Sequence, residues 1–275
     1  MDNIIKSKRN KIGQLGIQLL AYAQLRKKEM IFTGEIAQAL GMTRKQEIDL
    51  LARMTDAGIL IRLKRGVYLV PERMPPGGKW NVSEYYLLSK LMQVYKGTYQ
   101  ISGPNAFNFY GFDNQVPNRL YVYNDRIYGE KNINGREFVF IKTSKKRLGA
   151  TRKEKNTDGT AVFFSSKERT LLDAIYDWSR YNTIPRAYLW IVNSLQSDSG
   201  SEKKVISVTA KYGNKASIRR IGYLLYANGI AESSLLSLKR LLGKSKSIIP
   251  WIPGRSAKGS VNTEWGIIVN GTIPK

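Results

Sequence analysis

The chain of 275 residues has no cysteine and no histidine. Those absences exclude disulfides, thiol nucleophiles, Ser-His-Asp triads and zinc sites built on Cys or His. Catalysis would fall to carboxylates, Lys, Arg, Ser or Tyr. Asp173 and Asp177 lie four apart with Glu168 nearby, but Glu168 has a capping explanation and Arg169 can pair with Asp173. With no Gly-rich phosphate loop either, the expectation is a non-enzyme without metal or cofactor.

Acidic residues are scarce too: 21 Asp and Glu stand against 45 Lys and Arg, a formal charge of +24. Such an excess repels itself in a compact chain unless a polyanion neutralises it. No apolar run approaches the ~20 residues that cross a bilayer, and Met1-Asp2-Asn3 does not open like a signal peptide. The expected compartment is therefore the cytoplasm and the expected partner nucleic acid, not a membrane.

The apolar content of 42% is enough for a real core. A basic tail (Lys6, Lys8, Arg9, Lys11) precedes a helix carrying Ile12, Leu15, Leu19 and Ala23 on one face. Thr33 is placed to cap a short helix ending at Gly41. Thr43 with Gln46 forms a capping box for the next, which stops at Gly58. Two strand-like runs follow, Ile59 to Leu63 and Val67 to Val70, joined by Lys64-Arg65-Gly66, and Pro75-Pro76-Gly77-Gly78 reads as a linker. The expected fold class is α+β: a winged helix-turn-helix over residues 1–74, then a larger mixed α/β domain over 81–275.

Helix, short turn, helix and two-stranded wing make a major-groove reader with a phosphate clamp. With Leu40, Ile48, Leu51, Ala52 and Thr55 as the buried seam, Gln46, Leu50 and Arg53 face outward, and Thr43, Arg44 and Lys45 stand at the helix start. Arg forks onto guanine, Gln onto adenine, and Leu50 meets a thymine methyl. Arg62, Lys64 and Arg65 on the wing suit phosphate or a minor groove. The same fold also serves protein contacts, with its charges merely solvated.

In the second domain, helices are expected at 83–96 and 104–111, strands at 119–123, 137–142 and 161–164, and a helix capped by Ser165 with Glu168. Three further helices are expected between Pro185 and Leu242, with a closing strand at Trp265 to Val269. The aromatics Tyr85, Tyr86, Phe107 to Tyr110, Trp190 and Trp265 read as core. Two basic concentrations stand out. Residues 142–155 hold seven basic residues and one acid, and 203–258 hold twelve and one. Lys145, Lys146, Arg147, Lys211, Lys215, Arg219 and Arg220 are assigned to a second polyanion-facing surface.

Several segments together resemble the AbiEi antitoxin family of bacterial abortive-infection systems. They are Arg65-Gly66-Val67-Tyr68, Ser102-Gly103-Pro104-Asn105-Ala106, Tyr110-Gly111, the run Phe164 to Ala174, Arg220 to Leu225, and Trp265 to Asn270. Lys167 stands where such sequences often have Pro. The resemblance implies a repressor of its own promoter that binds inverted repeats in double-stranded operator DNA. It also implies a type IV antitoxin against a nucleotidyltransferase-like toxin, with no stable complex required. A basic second domain fits operator DNA, or the RNA or nucleotide substrate of such a toxin. A plasmid replication initiator or another mobile-element DNA binder shares the winged helix and the charge.

Overall fold

The structure, a computed structural model, describes residues 12–74, 78–243 and 247–275. The tail lysines and arginine at 6–11 and Pro75-Pro76-Gly77 lie outside the described residues. The chain is mixed α+β and divides into two compact units. One runs to Lys96 and takes in Lys131–Phe138, and the other comprises Gly97–Glu130 and Val139–Lys275. Among the described residues no helix is long and apolar enough to cross a membrane, and no group of three acids is placed to hold a metal ion.

The first unit runs α1 (Gln14–Leu25), β1 (Met30–Phe32), α2 (Glu35–Leu40), α3 (Arg44–Asp56), β2 (Ile61–Lys64), β3 (Val67–Leu69) and α4 (Glu84–Tyr95). The three strands form an antiparallel sheet ordered β1-β3-β2. β1, three residues long, is too short to show alternation in the sequence. Its core packs Leu19, Leu20, Ala23, Ile31, Ile36, Leu50, Leu51, Met54 and Ile59. Relative to a boundary at the Pro75–Gly78 linker, this unit also contains α4. The Trp80 N–H donates to the Gly58 carbonyl at 2.8 Å, and the Lys64 ammonium sits 4.5 Å over the Tyr95 ring.

Helix α3 is turned about one residue from the expected phase. Its buried row is Glu47, Leu50, Leu51 and Met54, whereas Ile48 is 50% exposed. Leu50, expected to face a groove, is 3% exposed and belongs to the core. Bulk explains the choice: Leu50, Leu51 and Met54 remove more apolar area from water than Ile48 and Ala52 would. The obstacle is Glu47, a carboxylate on the inner face, and tertiary contacts remove it. Glu47 accepts the N–H groups of Gly34 (2.7 and 2.8 Å), Ile36 (3.0 Å) and Ala37 (3.3 Å). It thus caps α2, whose N-cap is Gly34 at φ +106°, rather than Thr33. The positive end of α2 suits this anion.

A six-stranded sheet underlies the second unit, except that its residues 131–138 are counted with the first. Its strands are β4 (Tyr99–Ile101), β5 (Arg119–Asn124), β6 (Gly129–Ile133), β7 (Arg136–Lys142), β8 (Thr151–Lys155) and β9 (Ala161–Ser165), ordered β6-β7-β5-β4-β9-β8. β4 runs parallel to β9 and antiparallel to β5. α5 (Pro104–Phe109) follows β4. α6 (Lys167–Tyr176), α7 (Trp178–Tyr181), α8 (Arg186–Ser197), α9 (Ser201–Tyr212), α10 (Lys215–Ala227) and α11 (Glu232–Leu242) form the helical layer. Four helices therefore lie between Pro185 and Leu242, where three were expected. Asp198 and Gly200 break the run, with the Gly200 N–H donating to the Asp198 carboxylate at 2.8 Å. The cap of α6 is Ser166, not Ser165, accepting from the Arg169 N–H at 3.2 Å. A small sheet of β10 (Ile249–Pro250), β11 (Ser260–Asn262) and β12 (Ile267–Val269), ordered β10-β12-β11, closes the chain.

Candidate nucleic-acid interface

Helix α3 starts at the Thr43 cap. Gln46 N–H donates to Thr43 Oγ1 at 3.2 Å, and Gln46 Oε1 accepts the Thr43 N–H at 2.8 Å. The turn before it holds Gly41 at φ +64°, which ends α2 in the left-handed region and sends the chain directly into the cap. With the buried row fixed, Arg44, Lys45, Gln46, Ile48, Asp49, Ala52 and Arg53 make an exposed face. Ile48 and Ala52 were assigned to the seam, and they take the place of Leu50 as the apolar contribution to this face. Their position follows from letting Leu50, Leu51 and Met54 set the helix phase.

Two of the exposed polar groups are already partly engaged. Arg44 Nη1 pairs with Glu47 Oε2 at 3.0 Å with its side chain 56% exposed. A Cβ on Gly34 would lie 2.5 Å from that same nitrogen, so glycine there leaves room for the guanidinium. Gln46 uses its oxygen in the capping box and keeps its amide donors free of the Thr43 contacts, which favours one-sided donation over a bidentate grip on adenine. Lys45 and Arg53 are exposed. On the β2–β3 hairpin Arg62 and Arg65 are exposed, whereas Lys64 is half-buried over Tyr95. Gly66, at φ +76°, makes the tight turn and its carbonyl accepts the Thr33 N–H at 3.0 Å.

The proposed basic surface of the second unit is only partly a surface. Lys145, Lys146, Lys211 and Lys215 are exposed. Arg147 turns inward to Asp173 at 2.6 Å and stacks 3.9 Å from the Tyr176 ring centroid. Arg219 and Arg220 are 3% and 5% exposed, within the stretch Ser217–Leu225 of α10 that is buried on every side. Arg219 Nη1 donates to the Trp265 carbonyl at 2.8 Å, and Arg220 Nη2 to the Pro250 carbonyl at 3.2 Å. Burial lowers both guanidinium pKa values, with Tyr188 partly offsetting this at Arg220. A backbone carbonyl accepts from each guanidinium, while Arg220 Nε is buried without a hydrogen-bond partner; charge counted along the sequence reads such cations as surface.

The motifs behind the family resemblance converge on a buried polar centre in this unit. Asp173 accepts Ser102 Oγ at 2.9 Å, Arg169 Nε at 2.9 Å and Arg147 Nη2 at 2.6 Å. The expected Arg169–Asp173 pair is thus present. Gly103, at φ +61°, follows Ser102; a Cβ there would lie 2.7 Å from the Tyr181 ring. Tyr181 lies 3.3 Å from the Tyr123 hydroxyl, which donates to Asp177 at 2.5 Å. Burial pushes the Asp177 carboxyl up from its usual range, the Tyr123 hydrogen bond opposing. It also raises Tyr123 and Tyr181 well above ordinary phenols. At the far end, Trp265 packs against Gly222, where any Cβ would collide with the indole. The Arg220–Leu225 and Trp265–Asn270 motifs therefore interlock.

The fold and its exposed helix define a mixed α+β protein whose first unit presents one polar, cation-bearing helix face beside a basic hairpin. Residues 18–71 match the family described as "Transcriptional regulator, AbiEi antitoxin", in agreement with the resemblance read from the sequence. The match runs from within α1 through β3 and takes in all of α3. A crystal structure of the RV2827C protein from Mycobacterium tuberculosis is similar over both units. Its TM-score is 0.56 at 13% identity, covering 94% of this chain and 92% of that one. At that identity the likeness concerns the fold. No curated protein matches in sequence.

Proposed function

We propose that the protein is a DNA-binding transcriptional autorepressor and the antitoxin of a type IV, AbiE-like phage-defence system. In this reading the first unit is a winged helix-turn-helix, with α3 in the major groove and the β2–β3 hairpin on the backbone. The observation that carries the reading is the AbiEi-type match over residues 18–71. It coincides with the segment that displays Arg44, Lys45, Gln46 and Arg53 on one helix face. The order β1-β3-β2 supports it, since the third strand ties the hairpin to the helices. The second unit supplies neutralisation of a nucleotidyltransferase-like toxin and needs no catalysis of its own. The cytoplasm is the compartment this role requires.

Footprinting of the region upstream of the protein's own gene tests the reading. Protection of inverted repeats at stated salt is the expected result. Protection no stronger than on random duplex of equal length refutes it, because a charge of +24 binds any DNA to some degree.

A further inference from the structure

A cavity of about 410 Å³ in the second unit lies apart from the α3 face and from the polar centre's carboxylates. Its walls come from α5, the 113–118 segment, the start of β5, the end of α7 and the first residue of α8. Three guanidiniums border it: Arg119, Arg180 and Arg186. Arg119 pairs with Glu130 at 2.9 Å and Arg186 with Asp113 at 3.1 Å, and both arginine side chains are nearly half exposed. Pairs with a half-exposed arginine contribute little and leave its outer nitrogens to a second anion; Asp113 itself is 19% exposed and also lines the cavity. Arg147 and Arg169, locked on Asp173, have no such freedom. Arg180 is exposed, and its guanidinium makes no ion pair or hydrogen bond among the described residues. The inner wall is aromatic. Tyr121 is half-buried and meets Tyr181 edge-to-face at 5.7 Å, and Tyr181 meets Phe107 in the same way. Asn118 and Asn182 add exposed amides at the rim.

From this juxtaposition we propose that the cavity binds a mononucleotide, with its phosphate on Arg180 and the two half-exposed arginines and its base against Tyr121. The forked donors of arginine match a phosphate, and a flat ring can pack on the tyrosine face while the amides address its polar edge. The volume falls in the range of small-molecule sites and is too small for a duplex, so this site is independent of the proposed operator contact.

Titration calorimetry on the full chain tests the site, with 5′-AMP, 5′-UMP, adenosine and inorganic phosphate as probes. At least one mononucleotide is expected to bind below about 1 mM, with adenosine and phosphate each about tenfold weaker or more. Arg180→Ala and Tyr121→Ala are each expected to weaken that binding about tenfold while leaving circular dichroism unchanged. Arg180→Lys, which keeps the charge without the fork, is expected to fall between. No nucleotide binding up to about 5 mM overturns the proposal, as does binding indifferent to Arg180 and Tyr121. Phosphate binding as tightly as AMP overturns the base contact. A single-stranded oligonucleotide held far more tightly through the same residues overturns the mononucleotide assignment. Because operator footprinting does not use this cavity, failure of either experiment leaves the other result intact.

Discussion

Glu47 of α3 holds the N–H of Gly34 with both carboxylate oxygens, at 2.7 and 2.8 Å, from a position with no solvent exposure. This one carboxylate sets the spacing of α2 and α3 and also carries Arg44 on its outer oxygen. Glu47→Ala is expected to destabilise the protein by about 3 kcal/mol or more, since buried N–H groups lose their acceptor. Glu47→Gln, which keeps one acceptor, is expected to lose less than half of that. Urea unfolding followed at the first unit's signals decides the matter, and equal losses for both variants rule out the capping role.

Gly222 stands within helix α10, where glycine is intrinsically unfavourable by about 1 kcal/mol relative to alanine. Propensity alone therefore predicts that Gly222→Ala stabilises. The fully buried Trp265 ring occupies the space a methyl would need, and overpacking a tight core costs about 1–3 kcal/mol or more. The expected net result is a lower melting temperature with quenched or shifted tryptophan emission. A variant as stable as the parent would mean that the indole can move aside.

The contrast between these sites explains what the sequence makes legible. The Thr43 cap, the Gly66 turn, the Asn134-Gly135 hairpin, with φ +52° and +77°, and the Arg169–Asp173 pair are local, and residue types in a short window declare them. Arg219 and Arg220 are buried charges whose partners lie 46 and 30 residues away, and Glu47 reaches amides 10 to 13 residues back, outside its own helix. Periodicity then points the wrong way, because it counts every charge as an outward residue. A seam of Ile48, Leu51, Ala52 and Thr55 turns Leu50 outward, whereas burying Glu47 turns the helix by about one residue and brings Leu50 into the core.

Asp177 links stability to pH. Burial raises its folded pKa above the ordinary aspartate value, against the pull of the Tyr123 hydroxyl. A raised folded pKa favours the native state below the unfolded value, and that contribution is lost as pH rises through the folded value. Wild type minus Asp177→Asn is therefore expected to show stability falling across the range above the usual carboxylate pKa. Chemical denaturation at several values between about pH 3 and 7 measures it, and a flat difference contradicts the raised pKa.

If the proposed operator contact holds, α3 reads bases and the β2–β3 hairpin grips the backbone. Replacing Gln46 or Arg44 by Ala is expected to relax preference at particular operator positions by about 1–3 kcal/mol. Arg62→Ala and Arg65→Ala are expected to weaken all sequences alike and to reduce the salt slope by about one each. Lys64, held over Tyr95, is expected to change that slope less than Arg65. Competition binding at several salt concentrations distinguishes the two classes. If the hairpin variants alter preference and the helix variants do not, the groove-facing assignment is reversed.

The last prediction divides the cations of α9 and α10 by what they touch. Lys211 and Lys215 are exposed, and Lys211 lies 5.3 Å over the Tyr212 ring. Reversing both to Glu is expected to leave the unfolding free energy within about 1 kcal/mol of the parent, as surface changes usually do. If the second unit neutralises a toxin through an anionic target, the same double reversal is expected to abolish rescue of cells from the toxin encoded beside it. Arg219→Glu is different in kind. It would put a carboxylate against the Trp265 carbonyl in a buried site, where both groups accept and neither donates. That variant is expected to unfold or to lose several kcal/mol, so its loss of rescue would say nothing about a surface. Rescue undiminished by the Lys211 and Lys215 reversals, in a protein shown folded by circular dichroism, leaves these lysines as solvation alone.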